Sequence, residues 1–142
     1  MIQRKQSLLL ILVILVIGLL NYLVPLNQMF TGLEQVKGVF HESVLKESFV
    51  PASYAIAVLA FVELLLFSNR SIQLMLGKLG TIINIYLVGI IVYWSLKVSG
   101  GVFTPEKGIW ILGLVFNICL LAISNKWIRR DDNLVKSVDR IR

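Results

Sequence analysis

The chain has 142 residues, of which 57% are hydrophobic and only 15% charged. That balance excludes a soluble domain of this size, which needs far more polar surface. The formal net charge is +6, but the basic residues cluster beside long apolar blocks, so they read as membrane topology and no nucleic acid is expected as a partner.

Taken in chain order, the first apolar block runs over residues 8–26. Arg4 and Lys5 precede it, as in a signal peptide, but the run is longer than a usual h-region. The following "NYLVPLNQ" offers no A-x-A-like cleavage site, so a retained first helix is expected. A long connection follows, and within it Val36, Phe40 and Val44 stand four apart with Phe49 beyond, which predicts a short interfacial helix. His41 in this segment has no second His or Cys nearby and reads as a solvated side chain, so no metal site is expected. The second block covers 51–67, with Pro51 in the first turn, where a missing N–H costs little. The third covers 79–98 and the fourth 108–127, and a charged tail over 128–142 closes the chain. Each block is close to the ~20 residues needed to cross a ~30 Å hydrocarbon core. The lone Cys119 cannot form an intramolecular disulfide and is expected as a small packing residue inside the fourth span.

Charge sets the direction. With the N-terminus inside, Arg4, Lys5, Arg70, Lys78, Lys126, Arg129, Arg130, Lys136, Arg140 and Arg142 lie in the cytoplasm, and only Lys37, Lys46, Lys97 and Lys107 outside. Tyr22, Tyr54, Tyr93, Trp94 and Trp110 then fall at the outer boundary and Trp127 at the inner one. The expected fold is all-α: one membrane domain over 1–142, a four-helix bundle in the bacterial inner membrane with both termini cytoplasmic.

The polar residues within the spans are Asn21, Glu63, Asn84, Asn117 and Ser124. Ser7, Ile11, Ile14, Gly18, Asn21 and Pro25 recur at spacings of three and four, as do Thr81, Asn84, Val88, Ile91 and Ser95. Gly113, Asn117 and Ser124 align in the same way. Such stripes mark helix–helix contact, because lipid offers these groups no hydrogen bonds. Glu63 lies about 7 Å short of its helix's cytoplasmic end, and its side chain leans away from that end. Arg70, seven residues on, and Asn84 are its expected partners, unless the carboxyl is protonated.

The start "MIQRKQS", the middle "LLLFSNRSIQLMLGKL" and the tail "IRRDDNLVKSVDRIR" resemble a family of small bacterial membrane proteins, the domain-of-unknown-function family 4293 of Bacteroidota. Met1-Ile2-Gln3-Arg4 matches its start, and Asn69-Arg70 with Gln73 its middle. Residues 134–142 are similar to its "LVRSxDRLR" ending, with Lys136 and Ile141 as conservative departures. The first outer loop carries no motif that aligns. The resemblance implies four helices in an inner membrane and transfers no activity.

No HExxH, Walker loop, Cys–His–Asp set or carboxylate pair in a membrane cleft is evident, so no enzyme and no cofactor are expected. Two readings of Glu63 remain. It is either interhelical glue in a scaffold or accessory subunit, or the proton- or cation-binding group of a small carrier, a homo-oligomer because four helices enclose little pathway. The first is preferred, since no second acid is read within a span. In the tail, Asp131 or Asp132 is expected to cap a new helix. Leu134, Val138 and Ile141 would form its apolar stripe beside Lys136, Asp139, Arg140 and Arg142. Such a helix either lies on the bilayer surface or docks an unknown membrane or cytoplasmic protein, and the resemblance favours docking.

Overall fold

The computed structural model describes residues 2–24, 40–66, 69–97 and 105–139, with side chains over 6–24, 47–66, 69–96 and 105–135. The described residues form four helices: α1 (Ile2–Leu23), α2 (Phe40–Leu65), α3 (Arg70–Lys97) and α4 (Pro105–Asp139). Each contains a stretch long and apolar enough to cross a membrane: Gln6–Leu23, Glu47–Leu65, Arg70–Leu96 and Pro105–Val135. This is an all-α, multi-pass membrane fold.

The packing follows a heptad in every helix. The buried positions are 6, 10, 13, 17 and 20 in α1, with 24 just past its end, and 49, 53, 56, 60 and 63 in α2. In α3 they are 73, 77, 80, 84, 87, 91 and 94, joined by 90 and 95; in α4 they are 107, 110, 114, 117, 121, 124, 128 and 131, joined by 120. Alternating steps of three and four keep one seam facing inward at 3.5 residues per turn, the spacing of left-handed bundle packing. Both α1 and α3 pack on α2 and on α4, so the helices follow one another around a closed square. Neighbours run antiparallel: Gln6 near the start of α1 reaches Asp131 late in α4, and Ser48 early in α2 meets Tyr86 late in α3.

The outside is as apolar as the inside. Leu112 is 72% exposed, and Leu15, Leu19 and Ile82 also face outward, as lipid-facing positions do. Inside, Phe49 meets Trp110 edge-on with ring centroids 5.4 Å apart. The Trp110 Nε1 donates to the Val24 carbonyl at 3.2 Å, satisfying a group just past the end of α1.

Several expectations change. Pro51 is not in a first turn: α2 begins at Phe40 and carries it as an interior residue. The short interfacial helix is therefore the beginning of α2 itself, while Val36 lies outside the described residues. Trp94 and Trp110 belong to the core rather than to an interfacial belt, whereas Tyr22, Tyr54 and Tyr93 are exposed. Cys119 faces outward and packs nothing in the bundle interior. The stripe on α1 is turned by one residue. Gly18 and Ile11 are exposed, and Leu10, Val13, Ile17 and Leu20 take the inner face because their volume fills the seam.

Candidate functional site

At the end where α2 hands over to α3, four polar side chains enter the interior: Gln6, Glu63, Gln73 and Asp131, all buried. Gln6 Nε2 donates to Asp131 Oδ2 at 3.2 Å, tying the start of α1 to α4. Gln73 Nε2 donates to the main-chain carbonyl of Glu63 at 2.9 Å. That carbonyl lies in the last turn of α2, and Gln73 caps it from the neighbouring helix. The turn between them is closed by Asn69 N to the Leu66 carbonyl and Gln73 N to the Asn69 carbonyl.

Glu63 is 1% exposed, and its Oε1 has no partner. Arg70 opens α3 half-buried, and its Nη1 is likewise without a partner. These two atoms therefore do not pair, contrary to the expected bond. Asn84 does not hold Glu63 either: its Nδ2 donates to Gly80 O, one turn back in α3, at 2.9 Å, and its Oδ1 is unpartnered. Antiparallel register explains the separation. A methyl on Gly77 would meet the Asn125 side chain, and one on Gly80 would meet Leu121 Cδ1 at 3.4 Å. Equal steps onward set Asn84 level with Asn117, and Gln73 level with Ile128, one turn from Asp131. Glu63 thus shares its level with Gln73 and lies about three turns from Asn84 along α3.

Asn117 is fully buried, with both side-chain polar atoms unpartnered, as is the Ser124 hydroxyl. Asn21 belongs to neither group. It sits at the margin of α1, donating Nδ2 to the Ile17 carbonyl at 3.0 Å. Among the described residues no three His, Cys, Asp or Glu side chains come together to hold a metal.

A second buried acid, Asp131, lies past the 108–127 block, within the longer candidate stretch Pro105–Val135 of α4. It caps no new helix, because α4 is unbroken from Pro105 to Asp139. The heptad was its signal: Trp110, Asn117, Ser124 and Asp131 stand seven apart. In the tail, Leu134 and Val135 are exposed. Lys136, Val138 and Asp139 belong to α4 without described side chains, and Arg140, Ile141 and Arg142 lie outside the described residues.

The profile of a domain of unknown function, DUF4293, matches residues 2–141. The chain belongs to the DUF4293 family. Neither a curated protein nor a solved structure matches it. As a DUF4293 protein it inherits an architecture and no assigned chemistry.

Proposed function

We propose that this DUF4293 protein is a non-enzymatic accessory subunit of the bacterial inner membrane, with both termini cytoplasmic, and that the end of α4 docks a protein partner there. The observation that supports this reading is the continuity of α4. Its 35 residues make a rod about 52 Å long, well beyond a ~30 Å hydrocarbon core. A tail lying on the bilayer surface needs a bend between span and tail, and α4 continues as helix through that region. Among the described residues Asp131 is the last buried side chain of α4; beyond it Leu134 and Val135 are 51% and 48% exposed on a segment that also carries exposed Arg129 and Arg130. An apolar pair flanked by basic groups on a projecting helix suits an acidic-rimmed partner groove. The polar residues of the spans point into the chain's own interior, so docking through Glu63, Asn84 or Asn117 has no support.

The test is purification of the full chain from its own membranes with and without changes in the tail. A stoichiometric partner should accompany the wild type. It should be lost with Leu134→Asp or Val138→Asp, while the four spans stay inserted. Retention of that partner by a scrambled tail of equal charge and amphipathicity would make the segment a surface anchor.

A further inference from the structure

Buried polar atoms without a protein partner recur along the inside of the bundle from one end to the other. At the α2–α3 end stands Glu63 Oε1, then the Ser124 hydroxyl, then Asn84 Oδ1 with both amide atoms of Asn117, and towards the far end the Ser95 hydroxyl. Each of these residues is at most 1% exposed. Ser124 and Asn117 are heptad neighbours on α4, about 10 Å apart along its axis. Asn84 is level with Asn117, and Ser95 lies three turns further along α3.

Lipid cannot satisfy these atoms, and burial without a partner is costly, so polar groups serving only as glue between helices are expected to bond one another. Here they line up instead. Buried groups of this kind are commonly satisfied by internal water. Between the Asn84–Asn117 level and Ser95 the seam is closed by buried Leu87, Ile91, Trp94, Trp110 and Leu114, and at Gly77 the helices approach so closely that an added methyl would strike Asn125. A hydrated metal cation does not fit such a seam, whereas a proton needs only a transient single file of water through the apolar layer.

We propose that the bundle interior is a proton path across the membrane, with Glu63 as its proton-accepting group. This activity is independent of partner docking. A hydronium ion at the α2–α3 end gives its proton to the Glu63 carboxylate, leaving water and a neutral carboxylic acid. The acid passes the proton to the next water and is restored as carboxylate. Past Asn117 and Ser95 the proton leaves as hydronium on the other side. No oxidant, reductant or other reactant is consumed, and the net result is one charge moved.

The test uses the full chain in liposomes with a trapped pH-sensitive dye and a potassium gradient, valinomycin returning the charge. The expected result is proton flux above that of protein-free vesicles. Glu63→Gln and Asn117→Leu should each bring it to the protein-free rate, Glu63→Asp should retain part of it, and Leu112→Ala on the lipid face should leave it unchanged. Circular dichroism and gel filtration before reconstitution identify any variant that fails to fold. Wild-type flux equal to that of empty vesicles overturns the proposal outright, whatever the variants do. So does flux that persists in folded Glu63→Gln and Asn117→Leu.

Discussion

Glu63 combines two roles that substitution can separate. Its main-chain carbonyl is capped by Gln73, while its carboxyl is buried with Oε1 unpartnered. Gln73→Leu removes the cap and should lower stability by about 1–3 kcal/mol, because a buried carbonyl is left unmet. Unfolding titrations in detergent would register it, and an unchanged midpoint would mean water replaces the amide. Glu63→Gln keeps the shape and should be mild for folding. Glu63→Lys places a cation in an interior that already holds the unpartnered Arg70 Nη1, and should cost about 3 kcal/mol or more in the same titration. Equal tolerance of Gln and Lys would show that the position reaches water. Glycine offers a cleaner contrast. At Gly113 a methyl would come within 2.5 Å of Leu20 Cδ1 and 3.1 Å of its Cγ, so the whole leucine must move; at Gly18 nothing lies within 4 Å. Gly113→Ala should therefore destabilise by about 1–3 kcal/mol. Gly18→Ala should be neutral or stabilise by up to about 1 kcal/mol through helix propensity. The same unfolding midpoints decide, and the reverse order would mean that the faces of α1 and α4 are misassigned.

At the scale of the helices, Trp110 links three of them: it stands on α4, meets Phe49 of α2, and bonds the carbonyl just past α1. Trp110→Phe should cost about 1–3 kcal/mol for the stranded carbonyl, and Trp110→Ala about 3–5 kcal/mol with the cavity added. If the two substitutions cost the same, the ring contributes only its hydrogen bond. The four helices were legible in the sequence because apolar blocks of spanning length are hard to read otherwise. Their ends were not. Counting apolar residues stops at the first charges, whereas α4 runs on through Arg129, Arg130 and Asp131 and α2 begins well before Pro51. The inner face of α1 was also illegible from polarity, since lipid leaves Leu15 outside and Leu10 inside equally content. Within the site, Glu63, Asn84 and Asn117 were conspicuous because each interrupts an apolar run. Gln6, Gln73 and Asp131 were not, because they stand among polar flanks where polarity is ordinary. Only the heptad distinguishes them, and it becomes legible once a neighbouring helix fixes the phase.

At the scale of the whole molecule the apolar seam carries scattered polar groups, while the described faces between the helix ends are as apolar as the interior. Because neighbouring helices alternate in direction, residues 6, 63, 73 and 131 gather at one end and residues 24, 49, 94 and 107 at the other. Which end faces the cytoplasm follows from charge. The end holding Glu63 also carries Arg4, Lys5, Arg70, Lys126, Arg129 and Arg130, with Lys136 beyond, while Lys97 and Lys107 stand at the opposite end. Basic flanks are retained on the cytoplasmic side, so the Glu63 end should face inward. Single cysteines, introduced after Cys119→Ser, test this directly. An impermeant maleimide applied to intact cells should label positions 35 and 99, whereas positions 71 and 137 should react only after the membrane is opened. The opposite pattern would place the Glu63 end outside and turn the projecting end of α4 away from any cytoplasmic partner. Labelling of 71 and 137 in a fraction of intact cells would instead mean two orientations of one chain. The excess of basic residues at the Glu63 end argues against that outcome, because it gives insertion a single preferred direction.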